Sequence, residues 1–194
     1  MTAWTGADAL VHAIEAFLVP RFNPLCDAMA LEALSLISTR LPIAVAEPTN
    51  LTARGSMHMG SCLAGISFLK GLGLIHAISH MIGAEFNTHH GLTNAIILPV
   101  VLRFNLPSMG DKVRRMAKAM KLHDHSVNGF IDSIETLLDE IAIPKSLSEI
   151  GVTVDCSGRI ARKALKDSAA RKSLRNATLA EVQALTENAI TKAR

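Results

Sequence analysis

Between Gly71 and Asn94 the chain reads GLGLIHAISHMIGAEFNTHHGLTN, and four of its eight histidines fall within that stretch. No other segment limits the fold as strongly. His76 and His80 are four apart and share one face of a helix. His90 follows His76 by fourteen positions. On one unbroken helix that is roughly 21 Å along the axis, too far for both imidazoles to reach one cation. If both serve a single site, the chain must turn back between them. Gly83 can end the first helix, and Asn87 and Thr88 suit a loop or cap. The expectation is a helix, a reversal, and a second helix opening near His90.

A second cluster opens the chain, in TGADALVHAIEAF. Asp8 and His12 are four apart within an apolar-periodic helical pattern. Two such pairs on separate helices can supply three imidazoles and one carboxylate. That set suits Fe²⁺ or Zn²⁺ with a position open for a substrate oxygen. Each residue also has a plainer reading. A lone His on an apolar helix face is more often a core residue than a ligand, and an Asp in a first turn more often serves the helix dipole. Spacing alone leaves the two readings evenly matched.

Composition excludes several classes. The net charge of +3, from 20 basic and 17 acidic residues, is too mild to argue for nucleic acid. Cys26, Cys62 and Cys156 are widely spaced and form no CxxC, which supports neither a disulfide framework nor a thiolate metal site and fits a reducing cytoplasm. No run of 18 apolar residues occurs, so no transmembrane helix is expected, nor does the N-terminus read as a signal peptide. A hydrophobic fraction of 49% against 19% charged residues is ample for a core and suggests that much surface is covered.

The pattern is helical throughout. Helices are expected over 5–18 with Thr5 as N-cap, over 26–41 after the Asn23-Pro24 cap and bounded by Pro42, and over 52–69. The last carries Gly55, Gly60 and Gly65, which suit close helix–helix approach. Gly71 and Gly73 form a GxG that is no dinucleotide fingerprint, since no strand precedes it and the third glycine is missing. Further helices are expected over 90–104 with a kink at Pro99, over 108–120 with a solvated basic face (Lys112, Arg114, Arg115, Lys118), and over 126–141. A short helix or turn follows at 144–150. Another helix should run from an Asp155 cap to about Ala170, and a last one should open at the Thr178–Glu181 capping box and reach Ala193. No alternating strand or tight hairpin signal appears. The fold class is all-α, one domain of eight to ten helices.

The two motifs, TGADALVHAIEAF and GLGLIHAISHMIGAEFNTHHGLTNAIILPVVLRFN, resemble those of the iron-dependent (group III) alcohol dehydrogenase family. The resemblance covers nearly the whole chain, as the helical C-terminal domain of the dehydroquinate synthase-like fold. It implies Asp8, His12, His76 and His90 as ligands of Fe²⁺ or Zn²⁺. It implies His80 as a catalytic residue beside the metal and nicotinamide, for proton relay or substrate orientation. It implies hydride transfer between an alcohol or aldehyde and NAD or NADP. That chemistry needs an N-terminal α/β nucleotide-binding domain, which this sequence lacks. Residues 1–194 thus read as a single truncated helical metal-binding domain, inactive alone, with an apolar face that favours a homo-oligomer. No nucleic acid or membrane partner is implied. His89 doubles the last motif histidine, and the fourteen-residue spacing selects His90. SLRN at 173–176 stands where the family often has Asn-Pro-Arg, so nothing carries over there.

Three alternatives stand beside this reading. One is a helical domain without metal or activity. Another is the zinc polyol dehydrogenase branch, such as glycerol dehydrogenase, on the same fold. The third is an HD-type metal phosphohydrolase, for which His123-Asp124 would supply the dipeptide, although KLHDHSVN reads as a solvated turn.

Overall fold

The computed structural model describes residues 1–192, except for the side chain of Leu106; the expected helix end at Ala193 lies outside the described residues. Among them the chain forms eight α-helices, four 3₁₀ turns and no strand. In order they are α1 (Thr2–Leu18), α2 (Pro24–Ala46), α3 (Leu51–Ser67), α4 (Leu74–Phe86), α5 (His90–Ala119), α6 (Val127–Glu140), α7 (Ser157–Ala164) and α8 (Leu179–Thr191). The 3₁₀ turns are Phe68–Lys70, Leu147–Ile150, Val154–Cys156 and Ala170–Lys172.

The central element is α1. It packs against α2, α3 and α5, and its run from Ala7 to Leu18 is buried on nearly every side. Two lysines fasten its C-terminal end. Lys112 on α5 donates to the carbonyls of Phe17, Leu18 and Val19 (2.9, 2.8 and 3.0 Å). Lys70 donates to Phe17 O at 3.2 Å and pairs with Asp27. Cations on the last carbonyls of a helix satisfy groups with no intrahelical partner and oppose the dipole. Lys112 is therefore a structural clamp rather than part of a solvated face. Arg114 pairs with Asp111, and the Arg115 guanidinium lies over the Phe17 ring at 4.9 Å.

Several boundaries differ from the sequence expectation. α1 starts at Thr2, and the Thr5 hydroxyl bonds the carbonyls of Met1 and Thr2 inside the first turn instead of capping. α2 runs through Pro42 to Ala46 because Ala44, beyond the proline, is buried in the core; packing outweighs one lost backbone bond. α2 is also long and apolar enough to cross a membrane by length and composition, and it packs against α1 and α3. α5 continues through Pro99 and Pro107, and its helical backbone is interrupted at Gly110 (φ 43°, ψ −130°), a conformation cheap only for glycine. α7 is short, ending at Ala164, and the Asp167 carboxylate folds back onto Ala169 N–H at 2.8 Å. Asp155 lies in a 3₁₀ turn ahead of α7 and does not cap it. The cap at Asn23 and the Thr178–Glu181 box form as the sequence indicates, and Ser126, expected as a helix residue, caps α6.

Candidate metal centre

The reversal between His76 and His90 occurs at Asn87, the left-handed C-cap of α4 (φ 53°), four residues later than Gly83. His89 then caps α5, its Nδ1 accepting from Leu92 N–H at 3.4 Å, and its ring packs against Trp4. With His89 so engaged, His90 is the first residue inside α5. The turn brings the rings of His76 and His90 to 5.4 Å between centroids.

α1 packs against α5 and adds Asp8. One ligand atom from each of Asp8, His76 and His90 lies within 4.8 Å of the others, a grouping that can hold a metal ion. His12 stands outside that set but adjoins it, its ring 4.5 Å from that of His76. The His12 Nδ1 is 2.8 Å from the Asp8 carbonyl oxygen, so Nδ1 carries the proton and Nε2 keeps the lone pair. His80 lies over His90, with centroids 5.4 Å apart and planes at 15°. Its Nδ1 is 2.9 Å from Asp167, and its side chain is 40% exposed, which leaves Nε2 accessible.

Burial lowers the pKa of His12, and the neighbouring His76 adds to it, while Asp8 opposes both. Burial likewise lowers His90 against the pull of Asp8. Both imidazoles are thereby kept neutral, the form that binds metal. For Asp167, burial pulls upward, but Ala169 N–H and the His80 ring outweigh it and hold the carboxyl below its ordinary range.

Three polar residues of this centre were not singled out from the sequence. Glu15, 4% exposed, accepts from the first turn of α4 and from His76 Nδ1. Asp167 holds His80. Asn94, fully buried, points its amide nitrogen at Asp8 Oδ1, His76 Nε2 and His90 Nε2 (2.8, 3.2 and 3.0 Å), while its Oδ1 has no partner. An amide NH₂ has two hydrogens and faces three acceptors here. More lone pairs converge than protein donors can satisfy, as expected where a cation fits. A legible signal existed for Glu15: Asp8, His12 and Glu15 fall at helical spacing on one otherwise apolar face. Among the described residues, His123 and Asp124 join no such grouping. Asp124 bonds Ser126 in an exposed loop.

This architecture has known counterparts. Residues 2–190 match the model for the Fe-containing alcohol dehydrogenase family, C-terminal. The chain belongs to the Fe-containing alcohol dehydrogenase family. It is 37% identical to a probable alcohol dehydrogenase, EutG, of Escherichia coli, over 95% of this chain and 47% of that protein. It is 34% identical to the NAD-dependent methanol dehydrogenase of Bacillus methanolicus, over 98% and 52%. The crystal structure of a 1,3-propanediol oxidoreductase superposes with a TM-score of 0.94 at 36% identity, covering 97% of this chain and 51% of that one. A sulfoacetaldehyde reductase from Bifidobacterium kashiwanohense, solved with NAD⁺, gives a TM-score of 0.89 at 26% identity, covering 98% and 50%. The chain spans about half the length of these relatives.

Proposed function

We propose that residues 1–194 form the metal-bearing helical domain of an alcohol dehydrogenase. In this reading Asp8, His12, His76 and His90 hold one divalent cation, Fe²⁺ by family and Zn²⁺ as the runner-up. The observation that carries it is the grouping of Asp8, His76 and His90, one ligand atom of each within 4.8 Å of the others, with Asp8 Oδ1, His76 Nε2 and His90 Nε2 all facing the Asn94 amide nitrogen and His12 alongside. When bound, such a cation lowers the pKa of an alcohol hydroxyl and polarises an aldehyde carbonyl.

The chain's own residues do the rest. Of the four proposed ligands Asp8 is the one carboxylate, set beside three imidazoles. His80, anchored through Nδ1 to Asp167, offers Nε2 to orient the substrate or move its proton. Hydride exchange with NAD would come from a nucleotide-binding half such as the relatives' additional length allows, and the present chain alone would be inactive. The substrate class is a small alcohol or aldehyde, in keeping with the names of the relatives.

Anaerobic titration of the purified chain with Fe²⁺, followed by metal analysis, tests the reading. One equivalent is expected in the wild type, with loss in Asp8→Ala and His76→Ala; full retention in both variants overturns it. We further propose self-association through exposed apolar side chains, among them Phe22, Leu25, Leu51, Met59 and Leu69. A strict monomer in sedimentation at micromolar concentration would rule this out.

A further inference from the structure

We propose that Glu15 is a positioning residue for the cation centre: its carboxylate holds His76 as the Nδ1–H tautomer and aims the Nε2 lone pair at Asp8 and His90. The inference rests on the metal reading above, but its first test does not need a metal.

Glu15 is a buried acid on α1, and burying a carboxylate is costly unless donors surround it. Four N–H groups do so. The Gly73 and His76 amides reach Oε2 at 3.0 and 3.4 Å, and the Ile75 amide reaches Oε1 at 2.8 Å. The fourth is His76 Nδ1, 2.6 Å from Oε2. The three amides open α4, whose own N-cap residue, Gly73, offers no side-chain bond. An acid from another helix thus takes the place of a cap and sits where the helix dipole favours a negative charge. Gly73 makes the approach possible, since a Cβ there would stand 2.7 Å from Glu15 Oε1.

The consequence for His76 follows from donor counting. Both Glu15 oxygens already accept from backbone N–H groups, so the hydrogen between Oε2 and His76 is the one on Nδ1. The other ring nitrogen faces the Asn94 amide nitrogen at 3.2 Å, which supplies a hydrogen and requires a lone pair on Nε2. Turning the ring over would replace the Nδ1–H bond with a C–H at the carboxylate. The same carboxylate therefore fixes the start of α4, the angle of the ring and its tautomer. It also couples them to α1, which carries Asp8 and His12. A carboxylate behind a ligating imidazole raises its basicity and orients it, and losing such a partner typically costs 10- to 100-fold in metal affinity.

The experiment uses the 194-residue chain with ¹⁵N-labelled histidine, metal-free, at pH 8. Long-range ¹H–¹⁵N correlations should show His76, assigned by its absence in His76→Gln, as the Nδ1–H tautomer. An Nε2–H ring overturns the proposal. The second readout is the Zn²⁺ dissociation constant, measured by competition with a chelating dye, in wild type and Glu15→Gln. The carboxamide keeps the volume but sets an NH₂ against either His76 or the Ile75 amide. The expected loss is about 10- to 100-fold; an unchanged constant in a folded Glu15→Gln overturns the proposal. Should that variant not fold, the wild-type spectrum still decides. A wild type that shows the Nδ1–H ring but takes up no Zn²⁺ overturns the metal reading and leaves the hold of Glu15 on the ring standing.

Discussion

Gly91 lies directly against Trp4: a Cβ at Gly91 would press on the Trp4 carbonyl oxygen and stand 2.8 Å from Asp8 Cβ. This contact sets how closely the start of α5 approaches α1, and hence the gap between His90 and Asp8. We predict that Gly91→Ala forces the helices apart. Overpacking of this kind costs about 1–3 kcal/mol, and Fe²⁺ uptake should fall along with the melting temperature. Wild-type affinity in Gly91→Ala would show that the α1–α5 spacing does not govern the centre.

Asn94 bridges Asp8, His76 and His90 through one amide nitrogen. Asn94→Asp replaces that donor with an acceptor facing three acceptors. We expect the metal-free variant to melt below wild type and to gain more than wild type on adding Zn²⁺, since a cation relieves the repulsion. Calorimetry with and without metal measures both terms, and an equal metal-induced gain in the two proteins would refute the prediction.

Acid should weaken the metal-free chain in a defined window. Burial holds His12 and His90 below the ordinary value of 6.5. On unfolding both return to that value, so just below pH 6.5 the unfolded chain binds more protons than the folded one. Stability therefore rises with pH across the window and is lost as pH falls through it. Urea midpoints should be lower at pH 5.5 than at pH 7.5, and His12→Gln should flatten the difference. A midpoint that climbs on acidification would contradict the assignment.

The glycines of α3 are not equivalent. A Cβ at Gly60 would stand 2.8 Å from Ile37 Cγ1 on α2, whereas one at Gly55 meets nothing within 4 Å. We predict that Gly60→Ala destabilises by about 1–3 kcal/mol through overpacking. Gly55→Ala should instead stabilise by about 0.5–1 kcal/mol through helix propensity. Thermal unfolding of the two variants checks the opposite signs.

Much of the centre was legible because its first level is local. The i,i+4 spacing of Asp8 with His12 and of His76 with His80 announces shared helix faces, and the excess distance to His90 demands a turn. The Asn23 and Thr178 caps are equally short-range signals. Pro42 misled for a related reason. It is a breaker by local rule, yet α2 runs through it, because Ala44, beyond it, packs into the core. Within α5 the non-helical residue is Gly110.

The sequence by itself determined an all-helical chain, the donor types available to a cation, and the need for a reversal between His76 and His90. Those properties follow from backbone periodicity and from the chemistry of single side chains. Only the tertiary structure decided which nitrogen of each imidazole faces inward. Glu15 meets His76 across 61 residues, and His80 meets Asp167 across 87. Such bonds depend on interhelical distances to within a fraction of an ångström, and no pattern confined to one helix encodes those distances.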